Sequence, residues 1–111
     1  MTATVEYVRY RIARDDQPAF EAAYAAAAAA LAASPECIDY ELARVEEEQD
    51  DEHYVLRIRW TSIEAHLGGF RKGEHFPAFF QAVRPYVQAI EEMRHYLVTD
   101  VVGTGGAAEP S

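Results

Sequence analysis

Apolar and polar residues alternate along residues 4–13, with Val5 and Tyr7 in one phase and Val8, Tyr10 and Ile12 in the neighbouring one. A two-residue period rich in β-branched and aromatic side chains predicts a strand. The period then lengthens: Phe20, Tyr24, Ala27, Ala28 and Leu31 recur at helical spacing, behind Asp15-Asp16 as a cap and Pro18 in the first turn. Ser34-Pro35 closes that helix, because a residue before proline avoids the α region. Alternation returns at residues 37–45, with Ile38, Tyr40 and Leu42 on one face, and again at 52–60, where Tyr54, Leu56, Ile58 and Trp60 oppose His53, Val55, Arg57 and Arg59. Between them lies the acidic segment 46–51, a solvated hairpin loop. A short helix over 62–70 ends at Gly68-Gly69. Phe76, Phe79, Phe80, Val83, Val87, Ile90 and Met93 then predict an aromatic-rich helix bent at Pro85, before a last strand over 95–102.

The order β-α-β-β-α-β predicts an α+β, ferredoxin-like unit with an antiparallel sheet. It spans residues 1–102, followed by a Gly/Ala/Pro-rich tail, 103–111, expected to be disordered. The helices cover one sheet face. The other carries further apolar side chains, so a homodimer joined sheet to sheet is expected.

Composition narrows the partners. The chain has 111 residues, half of them hydrophobic, enough for one core without staples. Its 10 Lys+Arg against 19 Asp+Glu give a net charge of −9, which repels phosphate backbones and anionic membranes alike. Nucleic acid and membrane are therefore not expected partners; a neutral or apolar small molecule is. Cys37 is the only cysteine, so no internal disulfide forms, and a reduced, cytoplasmic setting fits. No signal peptide or membrane span is expected.

Several motifs together resemble the antibiotic biosynthesis monooxygenase (ABM) family of dimeric α+β barrels. They are Ser34-Pro35-Glu36-Cys37-Ile38-Asp39-Tyr40-Glu41-Leu42, the acidic hairpin, Tyr54–Trp60, Trp60-Thr61-Ser62-x-Glu64-Ala65 and Glu74-His75-Phe76. Glu36 stands where the family usually has glycine. The resemblance implies a dimeric ferredoxin-like fold and oxygenation of small aromatic molecules without a cofactor. Family members of that kind use an asparagine on the first strand and a helical tryptophan. This chain has no asparagine, and the helical tryptophan position falls near Gly69 or Phe70. In the haem-degrading branch a histidine is added; its position falls near Phe79, so haem is not the expected cofactor. Flavin and nicotinamide are not suggested either, since no phosphate-binding glycine loop follows a strand.

The candidate catalytic residues are His75, placed as base near a helix N-terminus, with Tyr10 and Tyr86 orienting the substrate. Candidate substrate-binding residues are Trp60, Tyr40, Tyr54, His66 and Phe79. No metal site is expected, because neither H-E-x-x-H nor H-x-x-x-H occurs. His53 and His95 fall at predicted strand beginnings without a carboxylate at ligand spacing, and Arg71 and Lys72 form a small basic spot that could steer an anion. Two functions compete: a cofactor-independent monooxygenase, and a non-catalytic homodimeric module that binds a small molecule or assists another enzyme. Convergent polar groups in an internal cavity favour the first. A cavity filled by Phe76, Phe79, Phe80 and Trp60 favours the second.

Overall fold

A computed structural model describes residues 2–108. Strands β1 (Thr4–Arg11), β2 (Cys37–Arg44), β3 (His53–Trp60) and β4 (Ile90–Leu97) form one antiparallel sheet in the order β2-β3-β1-β4. Helices α1 (Gln17–Ala33) and α2 (Phe76–Val83) pack against each other across one face of it. The expected ferredoxin-like α+β unit is what the chain forms.

The alternation of β3 orients the sheet. Tyr54, Leu56, Ile58 and Trp60 are all buried beneath the helices, and their partners on β1 are Tyr10, Val8, Glu6 and Thr4. Phe20 of α1 is fully buried between Tyr10, Tyr24, Tyr54 and Tyr86, at centroid distances of 4.9, 5.3, 4.9 and 5.1 Å. Edge strand β2 is poorly covered: Ile38 follows a register shift after Cys37 and lies exposed, as does Tyr40. Asp16 occupies the N-cap of α1 but makes no side-chain capping bond. The buried Gln17 fixes that end instead, its side-chain amide donating to the carbonyls of Ile12 at 3.2 Å and Asp51 at 2.5 Å.

The last third departs from the predicted pattern. The aromatic helix stops at Val83, a 3₁₀ segment runs Arg84–Ala89, and Ile90 is already extended at φ −71°, ψ 124°. Ile90 and Met93 therefore belong to β4, not to the helix, and β4 ends at Leu97 rather than at 102. Pro85 explains the break: it lacks an N–H to continue the α-helical ladder and favours a tightened turn. Val87, Ile90 and Met93 keep a helix-like spacing by coincidence with the alternation of β4. His95 consequently lies well inside the strand, directly opposite Glu6 of β1. Residues 103–108 carry no regular secondary structure and are exposed; the rest of the expected tail lies outside the described residues.

Candidate active site

The sheet and helices do not close completely. Between β1, β4 and α2 lies a cavity of about 420 Å³. Val8, Leu56 and Ile58 form its floor, with Phe70, Phe76 and Phe79 on its walls. Phe80, Val87 and Met93 also border it and are each substantially exposed, which places its mouth between the α2–3₁₀ segment and β4. The aromatic side chains pack edge to face or stack on one another, so they line the space without filling it.

Polar groups gather at one end. Glu6 faces inward in the apolar phase of β1 and is only 5% exposed. Trp60 Nε1–H donates to its carboxylate at 3.2 Å, and His66 Nε2 lies 3.4 Å from the same oxygen. His66 stacks flat on Trp60, with centroids 4.6 Å apart and planes 9° apart. Its other nitrogen, Nδ1, lies 2.8 Å from His95 Nε2. Local sequence explains the placement: Ser62 accepts the Ala65 N–H through its hydroxyl, and a π-helical turn, Ala65–Phe70, swings His66 inward and Arg71 to the cavity rim.

Burial pushes the Glu6 carboxyl above the usual carboxylate range, only partly offset by the Trp60 hydrogen bond and the Arg71 charge. His66 is held down to about 4 by burial, then by the positive charges of Arg71 and His95. His95 is lowered by the same burial and by Arg71. At neutral pH the corner thus holds neutral imidazoles beside Glu6, whose carboxyl is held above the usual range by burial.

At the other end, Tyr10 and Tyr24 share a hydrogen bond between their hydroxyls. Burial raises the pKa of both phenols, so they remain protonated donors. Glu6 and Tyr10 are four residues apart on one strand face, which separates the two polar ends by about 13 Å.

Of the residues singled out from sequence, Tyr10, Trp60, His66 and Phe79 line this cavity. Tyr40 and Tyr54 share its sheet face but line a separate groove of about 370 Å³ beneath α1, where the Tyr54 hydroxyl donates to Glu21 at 2.5 Å. Tyr86 packs on Phe20 and lines neither space. His75 sits at the N-cap of α2, one-third exposed, and its Nε2 lies 3.7 Å from Glu74; it does not border the cavity. Phe79 presents a ring packed on Tyr24 and Phe70 and no ligand atom, so the position does not fit a haem-iron ligand. Cys37 is pushed up to about 11 by burial and then by Asp39, which suits an unreactive thiol. Among the described residues, no group of three or more His, Cys, Asp and Glu side chains is arranged around a metal position.

Glu6, Tyr24 and His95 are the functional candidates that sequence reasoning missed. A carboxylate in the inward phase of β1 was the available signal for Glu6. Nothing local marked His95, because its role depends on where β4 begins.

The ABM (antibiotic biosynthesis monooxygenase) family profile matches residues 4–82, most of the chain. The protein belongs to the ABM family. Its fold is shared with SnoaB, a cofactor-independent oxygenase from Streptomyces nogalater, at 22% identity and TM-score 0.64, covering 93% of this chain and 97% of that one. A candidate ABM protein from Bordetella bronchiseptica superposes at TM-score 0.69 and 17% identity, covering 92% of this chain and all of the other. Another from Caulobacter crescentus gives TM-score 0.68 at 17% identity, over 89% and 92% of the two chains. No curated protein matches the sequence. No helix among the described residues is long and apolar enough to cross a membrane.

Proposed function

We propose that this ABM protein is a cofactor-independent monooxygenase acting on a small aromatic, quinol-like compound. The observation that carries the proposal is the open apolar cavity with Glu6, Trp60 and His66 converging at one end and the Tyr10–Tyr24 hydroxyls at the other. SnoaB, cofactor-independent by its description, supports the reaction class. Glu6 is the general base. A carboxylate in this environment is more basic than usual, whereas His66, at about 4, is a poor proton acceptor at neutral pH. Glu6 takes a proton from the phenol or the activated carbon of the substrate. The resulting anion, desolvated between Phe70, Phe76 and Phe79, donates electrons to dioxygen. One oxygen atom enters the product; the other leaves as water formed with two substrate hydrogens, one of them the proton that Glu6 returns. Tyr10–Tyr24 and Trp60 orient the ring.

Oxygen uptake with a panel of quinols and hydroxyanthrones, without added flavin or metal, tests this directly. Glu6→Gln keeps an acceptor for Trp60 Nε1–H and is expected to lower kcat by roughly 10²–10⁴-fold with KM little changed. Loss of turnover in His75→Ala but not in Glu6→Gln would return the base to His75. Absence of turnover across the panel would favour the non-catalytic binding module.

We also propose that the protein works as a homodimer through its open sheet face. That face carries Val5, Tyr7 and Val55, half-buried, among the ion pairs Arg57–Glu41 and Arg59–Asp39, the latter at 2.8 Å. Rows of paired opposite charge can complement themselves across a two-fold axis.

A further inference from the structure

One donor proton inside the cavity has no use in the protein itself. Six polar residues border the space: Glu6, Tyr10, Tyr24, Trp60, His66 and Arg71. Trp60 Nε1–H is committed to Glu6, His66 Nδ1 to His95, and Arg71 stands exposed at the rim. The two tyrosines differ. They are 3% and 5% exposed, and among the described residues each hydroxyl is bonded only to the other. Two hydroxyls carry two protons, and the hydrogen bond between them uses one. The second O–H is a buried donor with no acceptor, a state that folded proteins rarely leave unmet. The wall around it offers none, since Val8, Phe79, Val83 and Ile90 are apolar, and Glu6 lies at the opposite end.

We propose that the Tyr10–Tyr24 pair is a carbonyl-binding site, and that the substrate is a flat ketone whose acidic group is conjugated through its rings to that carbonyl. The inference rests on the oxygenase reading for its acid–base step. A carbonyl oxygen meets the spare donor without importing another proton. A carboxylate in the same place would bury a net charge with one hydrogen bond to hold it. The donor is also well positioned. Both rings pack edge to face on Phe20, and the register of β1 against β4 shifts between Arg9 and Tyr10, a irregularity of the kind that re-aims a side chain.

The pair then does more than orient the ring. When Glu6 removes the substrate proton, the electron pair of the broken bond moves through the conjugated rings. The carbonyl π pair shifts onto oxygen, and C=O becomes C–O⁻. One tyrosine O–H donates to that oxygen, while the other tyrosine donates to the first and strengthens it. Both phenols keep their protons, because burial holds them above the usual phenol range. One proton reaches Glu6, one electron pair reaches oxygen, and no electron leaves the substrate in this step. A hydrogen bond that strengthens as charge develops favours the anion over the neutral ketone.

The test uses 9-fluorenone, a flat ketone without an acidic group, which separates the carbonyl site from the acid–base step. Infrared difference spectroscopy of its complex should show the carbonyl stretch at lower wavenumber than in an apolar solvent. Tyr10→Phe/Tyr24→Phe retains both rings and their packing. It should return the band to the apolar position and weaken fluorenone binding about threefold to tenfold. At least one of the two single substitutions should move the band by itself. Fluorene, the same frame without oxygen, should bind wild type and double variant within about twofold of each other, which shows the cavity intact. Quenching of Trp60, the only tryptophan and a cavity residue, reads both affinities. An unshifted band in the wild type, or a shift that survives the double substitution, overturns the carbonyl site. Oxygen uptake from 1,8-dihydroxyanthrone is read separately, and the double variant should lower kcat by roughly 10²–10³-fold. A shifted band with no oxygen uptake by the wild type upholds the carbonyl site and overturns the oxygenase reading; uptake with an unshifted band does the reverse.

Discussion

Glu6 and His66 are the two residues whose environment departs most usefully from water, and their effects on stability have opposite signs. His66 has an ordinary value of 6.5 and is held at about 4 in the fold. Between those values the unfolded chain binds a proton that the folded protein refuses, so stability is full above pH 6.5 and is lost as pH falls toward about 4. The loss amounts to about 3 kcal/mol. Glu6 is raised above 4.5, so the folded protein takes up its proton first; that contribution is present at low pH and lost as pH rises through the raised value. The two partly cancel in the wild type. Glu6→Gln is therefore expected to deepen the loss of stability on acidification, and His66→Phe to flatten it. Urea unfolding at pH about 7 and about 4.5 measures both, and parallel behaviour of the two variants would contradict the opposed assignment.

Among the elements, the π-helical turn does most to build the site, since it aims His66 inward and carries Arg71 to the rim. Its geometry depends on a close backbone approach. A Cβ added at Gly73 would lie 2.6 Å from the Gly69 carbonyl oxygen, a backbone atom that cannot move aside cheaply. At Gly68 an added Cβ meets nothing within 4 Å. Gly73→Ala is expected to destabilise by about 1–3 kcal/mol and to disturb the His66–His95 contact. Gly68→Ala should be neutral or stabilise by up to about 1 kcal/mol. Thermal unfolding separates them; equal effects would mean the turn tolerates the crowding. The same contrast shows what was legible locally. Gly68-Gly69 marks the end of a helix in the sequence, but the tightness at Gly73 arises from atoms four residues away brought back by the turn. The boundary of β4 shows the same limit. Pro85 signals a break, yet whether Ile90 continues a helix or starts a strand was decided by pairing with Tyr10 on β1.

At the scale of the whole molecule, the open sheet face predicts a dimer by light scattering at micromolar concentration. Val55→Glu puts a charge into the apolar strip of that face, and should shift the protein to monomer while leaving the helix-covered core intact. A monomeric wild type would remove the sheet-to-sheet assembly. The family resemblance and the alternation of β1 and β3 sufficed for the antiparallel ferredoxin-like unit, because a two-residue period with one apolar phase fixes which face each side chain joins. Of the side chains singled out from these patterns, Tyr10, Trp60, His66 and Phe79 line the cavity, whereas His75, Tyr40, Tyr54 and Tyr86 do not. The pairing of Glu6 with His66 and His95 was not legible: these residues lie on β1, a π-helical turn and β4. Their proximity follows from strand order and register rather than from spacing along the chain. His75 illustrates the converse, a histidine with a suggestive sequence context whose side chain the fold leaves outside the cavity. Sequence alone determined the elements and the buried face of each central strand, since those follow from local periodicity. Tertiary structure alone decided which polar groups meet, because distant residues share a low-dielectric corner only after the strands have paired.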